Sequence, residues 1–303
     1  MKLRVLFLLC LVALFIAQIE GWCNCKCKAK KGKKPSRRSS KNEKLTVAGF
    51  NVQVFGLKKV DKVVEGQAIK DILTTIISRY DVILFQEIRD SSETAIFKFL
   101  DALNEKSGDA YAMDIGARQG NSNSKEQYAY IYRKDKVEVV DSYDYGENTG
   151  SYDFQRPPRV IHFRTKHNKV KDFMIIGIHT EPDHAEKEID ALIPVYEQAE
   201  KKFKLKNAIL MGDFNAGCSY FNKKEMRASK LKNDPRFKWI SPDDWDTTTK
   251  ASDCPYDRFV IAGEELQQHV SNPRVIDYQK ELNLSYDVTI AVSDHFPIVV
   301  DIE

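Results

Sequence analysis

The chain has 303 residues, of which 42% are hydrophobic and 11% aromatic, and its formal net charge is +3 at pH 7. This composition supplies ample apolar surface for a buried core and excludes a wholly disordered protein. The charge is uneven, because residues 1–21 contribute +1, residues 22–44 contribute +9 and residues 45–303 contribute −7. A basic segment favours a polyanionic partner, whereas an acidic body can supply carboxylates to a metal ion.

The first 21 residues have the pattern of a secretory signal peptide. Lys2 and Arg4 precede an apolar run from Val5 to Ile19, and a positive start followed by an apolar core is typical of exported proteins. The run is shorter than a typical transmembrane span. We expect cleavage near Gly21 and a secreted, extracellular protein, with a retained N-terminal anchor as the alternative.

Residues 22–44 are predicted to form a flexible basic arm. Ten lysines and arginines stand there against a single acid, Glu43. Cys23, Cys25 and Cys27 match no common zinc-binding spacing, which leaves disulfides between chains or within the arm as alternatives. We expect the arm to bind polyanions electrostatically, and the alternative is a solvated linker.

From residue 45 onward, apolar strands alternate with amphipathic helices. The spacing of apolar residues predicts helices at 66–80, 91–106 and 181–204, the last with a kink at Pro194. The predicted strands are 45–52, 81–87, 111–116, 127–133, 137–143, 159–165, 173–180, 208–211, 257–262 and 297–302. Helices alternating with mixed strands predict an α/β fold in which two packed β-sheets are flanked by helices.

Polar residues stand at the ends of several predicted strands. The strand at 208–211 is followed by Gly212-Asp213-Phe214-Asn215. In extended backbone, Asp213 and Asn215 would point to the same side. Ligands of open α/β sheets gather at the carboxyl ends of strands. The other strand ends that carry compatible groups are Asn51, Glu87, His179 and Ser293-Asp294-His295.

This set of side chains predicts a metal-assisted acid–base site. Carboxylate and amide oxygens without clustered cysteine or histidine suit a hard cation such as Mg²⁺ or Mn²⁺. Two histidines beside such a cation suit proton transfer near neutral pH. The sequence contains no Gly-x-Ser-x-Gly elbow, which disfavours an acyl-transfer triad. A single acid at a strand end is usually a turn residue, but five compatible strand ends indicate a common site.

These segments resemble the deoxyribonuclease I family of the endonuclease/exonuclease/phosphatase superfamily. The segments that carry the resemblance are Phe50-Asn51, Gln86-Glu87, Lys125-Glu126-Gln127-Tyr128, Gly177-Ile-His179-Thr180, Met211-Gly-Asp-Phe-Asn215 and Ser293-Asp-His-Phe-Pro297. More specific to secreted deoxyribonucleases are Cys218-Ser-Tyr220, Asp234-Pro-Arg-Phe237 and Cys254-Pro-Tyr-Asp-Arg258. The resemblance covers residues 45–303, so we expect three regions: signal peptide 1–21, basic arm 22–44 and catalytic domain 45–303.

The resemblance implies a four-layer α/β sandwich and an endodeoxyribonuclease that hydrolyses DNA to 5′-phosphate ends. It implies a catalytic Mg²⁺ or Mn²⁺ ion surrounded by Asn51, Glu87 and Asp294. Asp213 and Asn215 would hold the scissile phosphate and the attacking water. The acid–base pair would be His179 and His295, oriented by Glu126 and Asp257 respectively.

The resemblance also implies a disulfide, a calcium site and DNA contacts outside this catalytic set. Cys218 and Cys254 would form a disulfide, and Asp246 and Thr248 would hold a structural Ca²⁺ ion. The implied DNA-binding residues are Arg89, Arg156, Tyr256 and Ser252.

Two residues depart from the family pattern. Ser124 stands where the family commonly has a DNA-stacking Tyr, and Gln53 stands where it often has an Arg. Both departures predict a weaker grip on duplex DNA, for which the basic arm would partly compensate. We expect a monomer.

Two other functions remain as alternatives. One is a related phosphodiesterase, such as a sphingomyelinase-like enzyme, against which the Cys218, Cys254 and Tyr-Asp-Arg features argue. The other is a non-catalytic, polyanion-binding protein on the same scaffold. The intact set of histidines and carboxylates argues against that second reading.

Overall fold

The computed structural model describes residues 43–121, 125–146 and 153–303. The predicted signal peptide, the arm up to residue 42 and Ser124 lie outside these ranges, so the predicted division into three regions stays a prediction. Across the three described ranges, no helix combines the length and the apolar character needed to cross a membrane.

One six-stranded sheet carries the N-terminal strand at its centre. Its members are β1 (Leu45–Phe55), β4 (Val82–Ile88), β5 (Tyr111–Ile115), β6 (Gln127–Arg133), β13 (Val270–Val275) and β14 (Ile298–Ile302). They follow the order β13-β14-β1-β4-β6-β5. The central β1 pairs in parallel with β4 and antiparallel with β14. A separate hairpin is formed by β2 (Val63–Val64) and β3 (Gln67–Ala68).

A second six-stranded sheet is built from the middle of the chain. Its members are β7 (Val137–Asp144), β8 (Arg159–Thr165), β9 (Asp172–His179), β10 (Ala208–Asp213), β11 (Phe237–Trp239) and β12 (Asp257–Ala262). They follow the order β11-β12-β10-β9-β8-β7. β9 and β10 run parallel, so their carboxyl ends share one edge of the sheet.

Helices cover the outer face of each sheet. Packed with the first sheet are α1 (Leu57–Val60), α2 (Ile69–Ile77), α3 (Ala95–Ser107), α9 (Tyr278–Glu281) and α10 (Tyr286–Val292). Packed with the second are α4 (Ala185–Asp190), α5 (Leu192–Phe203), α6 (Lys223–Ala228) and α7 (Lys230–Asn233). A 3-10 turn (Pro182–His184) precedes α4, and α8 (Glu264–His269) follows β12. The two sheets and their two helical layers confirm the predicted four-layer α/β sandwich.

Side chains on the two faces of a strand pack into different cores, one between the sheets and one between a sheet and its helices. In β1, Val47 packs in the apolar cluster between the sheets, whereas Phe50 and Val52 pack against the helices of the first sheet. Gly177 of β9 lies at a close approach of the two sheets, because a Cβ atom there would stand 2.6 Å from the Tyr130 hydroxyl. Any larger residue would push apart the strand ends that carry the polar groups.

The predicted secondary structure is wrong over residues 181–204, and it omits β11, β13 and the helices α6 to α10. The single helix over 181–204 with a kink at Pro194 is instead a 3-10 turn and two helices that break at Ala191. Pro194 lies in the first turn of α5, where its missing N–H has no intrahelical acceptor to lose. The strand β13 escaped prediction because it contains Pro273, which is tolerated because β13 is an edge strand with an irregular register.

Candidate active site

Strand register places three of the predicted residues side by side at one edge of the second sheet. Asp213, the last residue of β10, is paired with His179 of β9 on one side and with Asp257 of β12 on the other. Neighbouring strands lie about 4.8 Å apart, so side chains in register on one face are within reach of each other. The backbone pairing alone therefore places the Asp213 carboxylate between His179 and Asp257.

His179 is held between two carboxylates. Its Nδ1 is hydrogen-bonded to Oε2 of Glu126 at 2.9 Å, and its Nε2 lies 3.5 Å from Oδ2 of Asp213. The backbone N–H of His179 donates to the Tyr128 hydroxyl at 2.9 Å. Tyr128 lies in β6 of the first sheet and Glu126 directly precedes that strand, so these contacts hold His179 from across the interface between the sheets.

His295 repeats the same arrangement from the other side. Its Nδ1 is hydrogen-bonded to Oδ2 of Asp257 at 2.7 Å, and its Nε2 lies 3.5 Å from the same Asp213 oxygen that His179 approaches. Both imidazoles thus turn Nδ1 to an orienting carboxylate and Nε2 towards Asp213. This places two Nε2 atoms, each able to carry or accept a proton, at a common point.

The surrounding charges favour the protonated form of both histidines. Burial lowers the pKa of His295, but the carboxylates of Asp257 and Asp213 outweigh it and raise the pKa to about 10. Burial and the nearby Arg156 guanidinium lower the pKa of His179, and Glu126 and Asp213 reverse that and leave it above its usual value. Burial raises the pKa of Asp213, yet the two imidazoles bring it below the usual range.

Asn51, Glu87 and Asp294 lie together around the end of β1. The Nδ2 of Asn51 donates to Oε1 of Glu87 and to Oδ2 of Asp213, each at 3.1 Å. Two residues further along β1, Gln53 Nε2 donates to Oδ2 of Asp294 at 2.7 Å. Glu87 is the last residue but one of β4, and Asp294 lies four residues before β14; these two strands are the neighbours of β1. The predicted end of the first strand at Asn51 is wrong, because β1 continues to Phe55.

Two oxygens of this group are buried without a hydrogen-bond donor among the described residues. They are Oδ1 of Asn51 and Oδ1 of Asp294. Leaving a buried polar atom unpaired is costly, and a bound cation is one way to satisfy such an oxygen. Asn51, Glu87 and Asp294 offer the carboxylate and amide oxygens that Mg²⁺ accepts. The residues present therefore fit a divalent metal ion.

A second group of metal-ligand side chains is formed by Asp213, Asp257 and His295, whose ligand atoms lie within 4.8 Å of one another. These atoms are already engaged in the carboxylate–histidine contacts described above, since Asp257 Oδ2 and His295 Nδ1 bind each other. Oδ1 of Asp257 is buried without a hydrogen-bond partner among the described residues, as are Oδ1 of Asn51 and Oδ1 of Asp294, whereas both carboxylate oxygens of Glu87 accept hydrogen bonds.

Glu87 and Asn215 both adopt left-handed backbone conformations, with φ of 60° and 47°. Non-glycine residues avoid this region, and such strain is characteristic of functional sites. The extended backbone predicted from Asp213 to Asn215 is therefore wrong, because β10 ends at Asp213. Asn215 nonetheless lines the same cleft as Asp213, with its Nδ2 donating to the Thr180 carbonyl at 3.0 Å.

Gln86 is a positioning residue to which the sequence assigned no role. Its Nε2 donates to the Ile178 carbonyl at 2.7 Å, and its Oε1 accepts from the Asp213 N–H at 3.2 Å. A single amide on the first sheet thus ties the ends of β9 and β10 on the second. Its signal in the sequence is a lone amide within the apolar run of β4, which is fully buried.

Ser293 is the other missed residue. Its hydroxyl donates to the Asn51 carbonyl at 2.6 Å and accepts from the His295 N–H at 3.2 Å. The serine therefore links the end of β1 to the segment that carries Asp294 and His295. This role explains a small polar residue directly before the Asp-His pair.

A cleft of about 360 Å³ opens over these groups. Ser252 and Tyr256, predicted to bind DNA, line it, and the Tyr256 ring centroid lies 6.2 Å from that of His295. The full lining is Glu87, His179, Pro182, Asp213, Asn215, Tyr220, Thr248, Lys250, Ser252, Tyr256, Asp294 and His295.

The two predicted DNA-binding arginines do not line this cleft. Arg156 is 8% exposed, and its Nε and one terminal nitrogen donate to the carbonyls of His179 and Thr180. It therefore holds the end of β9 in this structure. Arg89 is partly exposed and lies 4.0 Å from Glu87. The phosphate contacts predicted for both residues stay predictions.

The predicted disulfide and the predicted calcium loop lie beside the cleft. Cys218 and Cys254 form a disulfide, as predicted. In the predicted calcium loop, Oδ1 of Asp246 accepts from the backbone N–H and the hydroxyl of Thr248, both at 2.9 Å. Thr248 also forms a β-bridge with His295, so this loop is paired with the backbone of that histidine.

Comparison with known proteins places this geometry in a family. The profile of the endonuclease/exonuclease/phosphatase family matches residues 48–295. Deoxyribonuclease-1 of Oryctolagus cuniculus is 40% identical over 261 residues, covering 84% of this chain and 92% of its own length. Deoxyribonuclease-1 of Canis lupus familiaris is 38% identical over 264 residues, covering 86% of this chain and 92% of its own length.

Solved structures share the fold at low sequence identity. The human Nocturnin catalytic domain with bound sulfate superposes with a TM-score of 0.60 at 15% identity, covering 86% of this chain and 93% of that one. A family protein from Bacteroides thetaiotaomicron gives a TM-score of 0.55 at 16% identity, covering 86% and 97%. The fold, the site and the curated relatives agree. The chain is a deoxyribonuclease and belongs to the deoxyribonuclease I family of the endonuclease/exonuclease/phosphatase superfamily.

Proposed function

We propose that this deoxyribonuclease is a secreted, divalent-metal-dependent endonuclease that uses His179 and His295 as an acid–base pair and leaves 5′-phosphate ends. The observation that carries the proposal is the approach of both Nε2 atoms to the same oxygen of Asp213, at 3.5 Å each. Hydrolysis of a phosphodiester needs one group to take a proton from water and another to give a proton to the leaving oxygen. Two imidazoles facing one point meet both needs.

The proton balance of the reaction follows from this arrangement. The neutral imidazole takes a proton from the attacking water, and the imidazolium donates a proton to the O3′ oxygen as the P–O3′ bond breaks. The phosphate then stays on the 5′ side. Glu126 and Asp257 fix the Nδ1 side of each ring and so present Nε2 to the reacting atoms. Asp213 and Asn215 would position the phosphate and the water.

Asn51, Glu87 and Asp294 would hold a Mg²⁺ or Mn²⁺ ion. Such an ion, when bound, supplies positive charge to the phosphoryl oxygens as negative charge develops on them. The unpaired buried oxygens of Asn51 and Asp294 support this set of ligands. Ca²⁺ at Asp246 and Thr248 would have a structural role, since Thr248 forms a β-bridge with His295.

The proposal extends to the parts of the chain outside the described residues. A signal peptide at 1–21 would export the enzyme as a monomer, and the Cys218–Cys254 disulfide suits an oxidising compartment. The arm at 22–44 would bind polyanions. Deleting residues 23–44 should weaken DNA binding and flatten its salt dependence, and an unchanged affinity and slope would refute the role of the arm.

The first test is nicking of supercoiled plasmid by the wild type and by His295→Ala. We expect nicking with Mg²⁺ plus Ca²⁺, no nicking with EDTA, and a loss of at least about 100-fold in the variant, since general acid–base catalysis contributes about that much or more. Circular dichroism of the variant checks that it is folded. A folded wild-type protein that fails to nick DNA would contradict the proposal.

A further inference from the structure

Lys250 supplies a positive charge to the cleft that the acid–base mechanism does not use. It follows Thr248 in the loop beside His295, and it is the only lysine or arginine among the described residues that line the cleft. Its side chain is 57% exposed, and its Nζ donates to Oδ2 of Asp294 at 2.8 Å. A charged group on a flexible, exposed stem thus stands at the edge of the site.

The charge of the cleft calls for such a cation. Glu87, Asp213 and Asp294 all line it, and their carboxylates repel the phosphates of an approaching DNA strand. Phosphate contacts from lysine and arginine provide much of the affinity of proteins for DNA. Arg156 does not line the cleft in this structure, and two of its guanidinium nitrogens donate to backbone carbonyls.

The Lys250 ammonium can move away from Asp294 and leave that carboxylate with another hydrogen-bond donor. Oδ2 of Asp294 also accepts from Gln53 Nε2 at 2.7 Å, so the oxygen keeps a donor when the ammonium departs. A divalent cation held by Asp294 would repel the Lys250 ammonium from the same carboxylate. Ion pairs of exposed lysines contribute little to stability. Release of the ammonium therefore costs little.

We propose that Lys250 binds a backbone phosphate of the DNA substrate, moving its ammonium from Asp294 to the nucleic acid when the cleft is filled. The proposal rests on the proposed function only in that the DNA lies in this cleft. The loop at 246–252 would therefore make this phosphate contact. In this structure the Lys250 ammonium contacts Asp294, one of the residues that would hold the metal ion, and the lysine side chain is exposed at the edge of the cleft. Gln53 becomes the residue that keeps Asp294 in place.

The test measures DNA binding separately from cleavage. A short fluorescent duplex is titrated with the His295→Ala protein in Mg²⁺, over a series of salt concentrations, with and without Lys250→Met. Loss of one phosphate contact should lower the slope of log K against log salt by about 0.9 and the affinity about tenfold at 0.1 M salt. Lys250→Arg should retain the slope, because arginine also contacts phosphate.

The matched control is Lys134→Met. Lys134 is a similarly exposed lysine in an ion pair, with Nζ 2.9 Å from Asp109, and it does not line the cleft. This variant should leave both affinity and slope unchanged. In the otherwise wild-type enzyme, Lys250→Met should raise KM more than it lowers kcat.

Three outcomes would overturn the proposal. An unchanged affinity and slope in Lys250→Met would show that the ammonium makes no phosphate contact. A fall in kcat at unchanged DNA affinity would assign Lys250 to positioning Asp294 instead. Failure of the His295→Ala parent to bind DNA at all, together with an inactive wild type, would overturn the proposed function itself and the role of Lys250 with it.

Discussion

Nε2 of His179 and Nε2 of His295 lie at the same distance, 3.5 Å, from a single atom, Oδ2 of Asp213. Each imidazole is backed on its Nδ1 side by a further carboxylate, Glu126 or Asp257. The two histidines therefore have nearly the same local geometry. Their surroundings differ in charge, because the Arg156 guanidinium lowers the pKa of His179 and the Asp294 carboxylate raises the pKa of His295. This difference makes their roles separable by experiment.

The first prediction concerns the pH dependence of kcat/KM. We expect a bell-shaped profile for the wild type, since one histidine must be neutral and the other protonated. Its centre should lie above neutral pH, because the surrounding carboxylates raise the pKa of both histidines, that of His295 to about 10. Glu126→Gln removes a negative charge that raises the pKa of His179, so the limb that belongs to His179 should move to lower pH. Movement of the acid limb would identify His179 as the base, and movement of the alkaline limb would identify it as the acid.

Asp257→Asn provides the complementary measurement. It removes the carboxylate that contributes most to raising the pKa of His295, so the other limb should move to lower pH. A reduced kcat with both limbs unmoved in both variants would argue against the two-histidine mechanism.

A second prediction concerns the amide that ties the two sheets together. Gln86→Leu should leave the Ile178 carbonyl and the Asp213 N–H without partners, at a cost of about 1–3 kcal/mol for each buried group. Because Asp213 then loses its anchor, kcat should fall by more than KM changes. Urea denaturation and steady-state kinetics measure the two effects.

Asn104→Leu is the matched control for Gln86→Leu. Asn104 also donates to a carbonyl and accepts from an N–H, both of Tyr111, but it lies near the end of α3 and does not line the cleft. It should lose comparable stability and keep kcat. Equal losses of kcat in the two variants would mean that Gln86 acts only through stability.

The third prediction separates the two metal sites by thermal unfolding. A ligand that binds only the folded state raises the melting temperature, because it adds RT ln(1 + [L]/Kd) to the free energy of unfolding. Mg²⁺ should raise the Tm of the wild type but not that of Glu87→Gln, and Ca²⁺ should lose part of its effect in Asp246→Asn. A wild-type response to Mg²⁺ in Glu87→Gln would remove Glu87 from the ligand set.

The fourth prediction concerns the disulfide. Cys218 and Cys254 are 36 positions apart, and closing a loop of this length stabilises the folded state by about 4 kcal/mol on the chain-entropy estimate. The Cys218→Ser, Cys254→Ser double variant should lose that amount in urea denaturation. The wild type treated with a reductant should match it, and a loss below about 1 kcal/mol would contradict the estimate.

Much of the framework could be read from the sequence because it depends on local signals. Period-two and helical patterns located β6, β8 and β12 at their observed ends, since side-chain burial sets those patterns. Strand-end polar residues and their resemblance to a known family indicated which groups would meet. The errors fell where local rules compete: at Pro194, in the Pro-containing β13, and at the left-handed Asn215.

The amino-acid sequence by itself indicated two packed sheets flanked by helices and the chemical types at the site, and its resemblance to a known family added the four layers and the cysteines that pair. Only the tertiary structure decided which atoms meet. The register of β9, β10 and β12 sets His179, Asp213 and Asp257 in one row, and the packing of the sheets brings Gln86 to Asp213. Lys250 gave no local signal at all, because its partner Asp294 is 44 positions away and only the folded chain brings them within 2.8 Å.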